Sequence, residues 1–521
     1  MGRPRISDRD KLHRALTELH QVLGSERGVV RGPELNNATR VLLLKKGFLR
    51  EILKGWYFVS DPTAEAGDTT PFFANFWEYI SKYLKERFGT KYCLTAEQSL
   101  LRHAQHNVVP PQVNVMLGVD QSQIQQLTYG RSLVLYPGKR SFPSEGNVSM
   151  LDGLRCMTPP YTLAMLTPKA FQVNARDVQV VLSTITDPAA IAELVHINAS
   201  GVARVVAAMR QIGRDNFADD VLKQLAGLNI QLPAVSNPFE GQVVHHLGAI
   251  PKAPLYARIQ ALWAEHRPLV LAARPDPLPP DTTVDTYLSQ VDAIRVADAY
   301  HSLSIERYRV TPELIQKIAD GAWSPDTEPT DKLHIEALAA KGYLDAFALV
   351  REDTSKVFQE RQPGVPAAKV FADRHQAWFQ KLFGTSVDAG ILEPRDLMGY
   401  RRHLVFLRGS QHSPPHFDYV RDGMEALKEC FAEEPDAFVR AVLGHWLFGF
   451  IHPYMDGNGR MARFLMNLML ASGNYPWTII RVDDRVEYMA CLEQASVEGN
   501  IKPFADFLSA QVRKTSYPTR L

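Results

Sequence analysis

Ile451-His452-Pro453-Tyr454-Met455-Asp456-Gly457-Asn458-Gly459-Arg460-Met461-Ala462-Arg463 stands between two stretches whose apolar residues recur at helical spacing, Ala437 to Ile451 and Gly459 to Ser472. The segment therefore reads as a loop that leaves one helix and runs into the N-terminus of the next. Two glycines flanking Asn458 make a tight turn and let backbone N–H groups approach a bound group without obstruction by a β-carbon. N–H groups at a helix start attract anions, with ~0.3–1 kcal/mol from the helix dipole. That is too little to hold a polyphosphate unaided. Arg460 and Arg463, three residues apart, share one side of the first turn, where their planar forks can take phosphate oxygens in pairs.

Asp456 is the carboxylate of this loop, a hard oxygen of the kind that holds Mg²⁺ beside phosphates, and no second metal site of protein ligands is visible. His452 precedes it by four residues and can accept a proton from an incoming hydroxyl. Attack by the imidazole itself is also chemically feasible. General base is the preferred role, since one acceptor nitrogen facing an anion hole suffices for hydroxyl attack on phosphorus.

Moving outward, helical spacing recurs at Val284 to Leu303, Thr311 to Ala319, Pro366 to Phe383, His416 to Ala432 and Arg485 to Ala495, so the last third is mainly α. Ahead of it, Ala264 to Thr283 packs in five prolines, which argues against regular helix and for a linker. At the other end, Leu12, Leu16, Leu19 and Val22-Leu23 mark one helix. A second short helix is expected after Gly32-Pro33, a third over Asn37 to Lys46, and two strands around a turn at Lys54-Gly55. That order is the plan of a winged helix-turn-helix. Between these ends, Gln112 to Leu117 and Leu127 to Tyr136 read as strands and Pro188 to Leu225 as helices. The expected fold class is multidomain: a winged helix-turn-helix at 1–65, an α+β module at 66–235, a Pro-rich linker at 236–283 and a mainly α domain at 284–513.

With 521 residues, 45% hydrophobic and 22% charged, a single small domain is excluded. Lys plus Arg is 58 against 57 for Asp plus Glu, which excludes a uniformly basic coat. Residues 1–60 nevertheless hold twelve Lys or Arg against six Asp or Glu, a local basic surplus. Asn37, Thr39, Arg40, Lys45 and Lys46 are the groove-facing candidates for duplex DNA, although winged helices also dock proteins. The charged N-terminus is unlike a signal peptide and no uncharged stretch reaches the ~18 residues of a membrane helix, so a soluble cytoplasmic chain is expected. Cys93, Cys156, Cys430 and Cys491 lack paired spacing and read as buried thiols. His245-His246 lacks a third ligand at useful spacing.

The loop sequence resembles the signature of the Fic family, His-Pro-Phe-x-Asp/Glu-Gly-Asn-Gly/Lys-Arg with a second arginine three residues on; Tyr454 in place of Phe is the departure. The likeness spans about residues 284–513 and implies transfer of a nucleoside monophosphate, most often AMP from ATP, to a Ser, Thr or Tyr hydroxyl of a protein, with pyrophosphate leaving. It implies His452 as base, Asp456 as Mg²⁺ ligand, Gly457, Asn458 and Gly459 as anion hole, and Arg460 and Arg463 as phosphate ligands. Gly457 and Gly459 stand where the kinase branch has Ala and Lys, which argues against phosphorylation. Arg485 to Leu492, with Tyr488, resembles the helix that closes the nucleotide pocket. Gly399 to Pro415 looks like the family's flap, a β-hairpin whose centre, Leu404, Val405, Phe406 and Leu407, would pair with a target segment as an added strand.

Ser302-Leu-Ser-Ile-Glu306-Arg307 is similar to the family's inhibitory helix, Ser/Thr-x-x-x-Glu-Gly/Asn, and departs at the sixth position. By that likeness Glu306 would pair with Arg463 and withdraw a γ-phosphate ligand. The same carboxylate could assist water in removing AMP. The N-terminal half, with Tyr92 to Leu101 opening its mixed module, is similar to type IV (abortive-infection) antitoxins in its order of pieces alone. Candidate partners are ATP, a target protein, the chain itself, duplex DNA and a second copy. The competing function is a DNA-binding regulator whose Fic-like domain senses nucleotide.

Overall fold

The computed structural model describes residues 7–24, 28–62, 69–245, 251–323, 335–360 and 365–516. The chain forms two compact units, Met1–Pro254 with Phe406–Ser413, and Leu255–Val405 with Pro414–Leu521.

The first unit opens with helix Asp8–Leu23, started by the Ser7 side chain accepting from the Asp10 N–H. Helix Asn37–Lys45 is capped the same way by Asn36. The second helix expected after Gly32-Pro33 is instead one 3₁₀ turn, Gly32–Glu34. A strand not foreseen, Val29–Arg31, lies beside Trp56–Val59, which also pairs with Leu49–Leu53, all antiparallel. Val29 and Val30 are β-branched and both buried, which favours pairing over a loop.

Strand Trp56–Val59 has both faces covered. Tyr57 joins Ala15, Leu19 and Leu43 on one side. Trp56 and Phe58, pointing oppositely by the alternation of a strand, pack on helix Thr70–Phe88, with ring centroids 5.6 Å from Tyr79 and 6.2 Å from Phe72 respectively. The expected separate module at 1–65 therefore shares a core, through Val29, Ile52, Trp56 and Phe58, with helix Thr70–Phe88. A four-stranded sheet then runs in the order Tyr92–Leu94, Gln112–Leu117, Ser132–Pro137, Gln123–Gln126, with the central pair parallel. The single strand expected over 127–136 is a turn followed by a strand, because Tyr129 and Gly130 adopt φ 56° and 67°.

The second unit is helical. The stretch expected to be a linker holds helix Pro254–Ala272, with Pro268 inside it. Leu255, Ile259, Leu262, Trp263 and Val270 all enter the core. Burial at ~1.5–3 kcal/mol per large side chain outweighs the ~3 kcal/mol a mid-helix proline costs. Helix Ala437–Ile451 is buried at every residue but Gly449, and its partner Asn458–Ser472 is nearly so. Such all-round apolar helices belong at the centre of a core, and the loop that joins them is fixed at both ends.

Residues 399–415 contain no hairpin ladder, which corrects the expected flap. A turn is present, with the Ser410 N–H donating to Leu407 O at 3.2 Å. The donors beyond it are engaged within the first unit: Gly409 N–H on Thr70 Oγ1 at 2.8 Å and Ser413 N–H on Asn107 O at 2.9 Å. His412 forms a bridge with Val108. Leu404 and Phe406 are exposed. The four cysteines are free and buried. No helix among the described residues is long and apolar enough to cross a membrane.

Candidate active site

The loop between the two buried helices is bracketed by two left-handed residues. His452 caps the first helix at φ 52°, ψ 63°, and Gly457 opens the second at φ 77°. A β-carbon at Gly457 would meet the Phe383 ring at 2.8 Å, so conformation and space both require glycine. Asn458 closes the loop in two directions: Tyr454 N–H donates to its Oδ1 at 2.9 Å and its Nδ2 donates to Tyr454 O at 2.8 Å. Its side chain is thereby committed to the loop, which leaves only its backbone N–H to meet the expectation of an anion hole here. Tyr454, the departure from the family's Phe, stacks on Phe379 with centroids 3.9 Å apart and 6° between planes.

His452 Nδ1 lies 3.3 Å from Gly449 O. A carbonyl can only accept, so Nδ1 carries the proton and Nε2 is left with its lone pair. Burial pulls the imidazole down to about 4, and the Arg401 charge pushes the same way, so it is neutral at pH 7.

Arg460 is buried, with its guanidinium carbon 5.1 Å from the Tyr308 ring and 5.0 Å from that of Phe383. Aromatic faces hold the cation in place without neutralising it. Asp456 accepts from Gly457 N–H at 2.6 Å through Oδ1 and lies 3.3 Å from Arg460 through Oδ2, with its side chain 65% exposed. An open carboxylate beside an anion cradle is the donor set Mg²⁺ takes when phosphate oxygens and water complete its shell, so the residues fit that ion. Among the described residues no cluster of three or more His, Cys, Asp or Glu could hold a metal by itself.

Arg463 is buried and bound from one side by the end of helix Val284–Ile305. Its Nε donates to Ser302 Oγ at 2.8 Å, and its Nη2 donates to Ser302 O at 3.0 Å and to Glu306 Oε1 at 2.8 Å. Burial alone would raise the Glu306 carboxyl, and the charge and hydrogen bond of Arg463, with the charge of Arg460, overcome it and hold it below the usual range. Burial likewise works against the Arg463 charge, and Glu306 outweighs it. Tyr488 is 2% exposed and its hydroxyl lies 2.8 Å from His445 Nε2. It therefore supports the site from the core and offers no open face to a nucleotide, which corrects the expected contact.

Several members of the site carry no signal in the loop sequence. Arg401 lies 51 residues before His452, and its Nε donates to His452 O at 2.7 Å. Asp298, one turn before Ser302, accepts from the Tyr343 hydroxyl at 2.8 Å. Helical spacing 298/302/306 would have flagged it.

The residues proposed for DNA contact are only partly free. The Thr39 hydroxyl donates to Glu18, and Arg40 donates to Gly32 O and to Asn37 Oδ1. Lys45 and Lys46 are exposed. His246, of the His245-His246 pair, lies outside the described residues.

Over 130 residues the chain is 35% identical to "Protein adenylyltransferase Fic" of Nematostella vectensis, a span that is 24% of this chain and 30% of that protein. Its counterpart in Drosophila willistoni is 33% identical over 130 residues, 24% of this chain and 26% of that protein. The chain thus spans less than a third of the curated relatives it matches. The solved "Fic-1" of C. elegans aligns at a TM-score of 0.37 and 17% identity, over 66% of this chain and 86% of that one. Residues 369–470 match the Fic/DOC family, a span that holds helix Ala437–Ile451, the loop with His452, and all but the last two residues of helix Asn458–Ser472 with Arg460 and Arg463.

Proposed function

We propose that the chain is a protein adenylyltransferase held in check by its own Glu306. The observation that carries the reading is the pairing, at one helix start, of a neutral imidazole with a free Nε2 and two buried arginines. In the proposed reaction a Ser, Thr or Tyr hydroxyl of a target protein attacks the α-phosphorus of ATP. His452 Nε2 takes the hydroxyl proton as the new P–O bond forms, and the bond to the bridging oxygen breaks to release pyrophosphate. Arg460 and Arg463 hold the departing phosphates, and the N–H groups at the start of helix Asn458–Ser472 receive the charge that develops. Bound at Asp456, Mg²⁺ would neutralise phosphate charge.

Glu306 opposes this chemistry by holding Arg463. With Nε and Nη2 turned to Ser302 and Glu306, Arg463 keeps only Nη1 for a terminal phosphate and its paired grip is lost, so the α-phosphorus loses its alignment.

The test compares ATP labelled at the α- or at the γ-phosphate, offered with a cell extract to the parent and to His452→Ala. Label is expected from the α-position alone, dependent on Mg²⁺, and reduced roughly 10²–10⁴-fold in the variant. Transfer of γ-label, or near-normal transfer by the variant, overturns the reading.

A further inference from the structure

Helix Ala437–Ile451 ends at His452, and the last carbonyls of a helix have no partners within it. Arg401 supplies them from outside. Its Nε donates to His452 O at 2.7 Å, its Nη2 to Ile451 O at 3.4 Å and to Pro415 O, and its Nη1 to His403 O at 2.9 Å. Its own backbone N–H donates to Pro453 O at 2.8 Å. Three successive carbonyls, 451 to 453, are thus gripped by one residue that is 5% exposed.

Two features set this apart from an ordinary buried ion pair. Among the described residues the Arg401 acceptors are all backbone carbonyls, so its charge faces the negative end of a helix rather than a carboxylate. Burial draws its pKa down to about 10, which still leaves it charged at neutral pH. The residue it grips, His452, is a non-glycine in the left-handed region, a conformation that persists only where its surroundings over-determine it.

We infer that Arg401 is a positioning residue for the transfer reaction: by pinning the carbonyls on both sides of the 452 peptide it locks the turn in which Nδ1–H reaches Gly449 O and Nε2 remains the acceptor. The inference rests on the transferase reading for its kinetic consequence, not for its geometric one. Without the guanidinium the turn relaxes, both ring tautomers become populated, and the base is misaligned while the phosphate ligands Arg460 and Arg463 stay in place.

The experiment uses the full chain in a Glu306→Gly background. Arg401→Ala is expected to lower kcat about a hundredfold, the loss typical of a misplaced catalytic group, with equilibrium binding of ATP unchanged and kcat partly restored by free guanidinium. Arg401→Lys, which keeps a charge but not the fork, is expected to fall nearly as far and serves if the alanine variant does not fold. Parent-like kcat in the lysine or alanine variant, or a loss that follows ATP affinity, overturns the inference while leaving the transferase reading standing. If the Glu306→Gly parent transfers nothing, the transferase reading fails and ¹⁵N spectra of the His452 ring decide the inference separately. Protonated Nδ1 in the parent and mixed tautomers in Arg401→Gln support it, and an unchanged tautomer overturns it.

Discussion

The Glu306 carboxylate occupies the space above Gly459: a β-carbon there would lie 2.2 Å from Oε1, the same oxygen that accepts from Arg463. An anionic group of the protein thus sits at the helix start whose charge and N–H groups suit an anionic ligand. Removing it releases Arg463 and opens that space. Glu306→Gly is expected to raise transfer of α-label about tenfold or more, the equivalent of losing a charge-assisted hydrogen bond. A rate no higher than the parent's would refute the brake.

Arg307 follows Glu306 at φ 68°, in the left-handed conformation that ends the helix. The family pattern places Gly or Asn there, the residues that adopt this region most cheaply, whereas arginine is strained by roughly 1 kcal/mol. Arg307→Gly should therefore steady the end of the inhibitory helix and lower basal transfer several-fold. Faster transfer in that variant contradicts the argument; the readout is the initial rate of labelling of the otherwise unaltered chain.

In the proposed reaction His452 acts as neutral imidazole, and burial has drawn its pKa down to about 4. The acid limb of kcat/KM for Glu306→Gly is expected well below the ordinary histidine range, with activity retained as pH falls through about 6.5 and lost towards about 4. A half-maximal point near the ordinary value would show that the base is more open to solvent than its burial indicates.

Asp298 is buried within helix Val284–Ile305, one turn before Ser302, and that burial pushes its carboxyl up to about 6 despite the Tyr343 hydrogen bond. The folded state holds its proton more tightly than the unfolded chain. The stability this contributes is complete below the unfolded value of 3.8 and is lost as pH rises through about 6. Asp298→Asn removes the dependence. Between about pH 4 and pH 7.5 the parent should lose on the order of 3 kcal/mol relative to the variant, measured by urea unfolding at both pH values. Parallel pH curves would refute it.

The helix–loop–helix placement of the loop was legible because its residues are contiguous and their spacing sets which side of a helical turn they share. Ser302 and Glu306 were legible for the same reason, one turn apart at a helix end. Arg401 was not, since it donates to backbone carbonyls about fifty residues away, and carbonyls leave no trace in residue identity. Gly399 to Pro415 misled because an apolar centre before a Gly-Ser turn looks like a hairpin, while the donors that would complete one are engaged by Thr70 and Asn107. Pro268 misled in the opposite direction: the proline is a local signal, and the burial of Leu262, Trp263 and Val270 that overrides it is not.

Because Phe406–Ser413 belongs to the first unit while the chain on both sides belongs to the second, the polypeptide crosses between units three times. A single protease cut near residue 254 would not free either portion, since the 406–413 excursion still tethers them. A fragment ending at 254 would meanwhile lack the segment that engages Thr70, Asn107 and Arg131, leaving those groups to water or to stray partners. Dissecting this chain into expressible halves therefore requires carrying that eight-residue insert along, or replacing it.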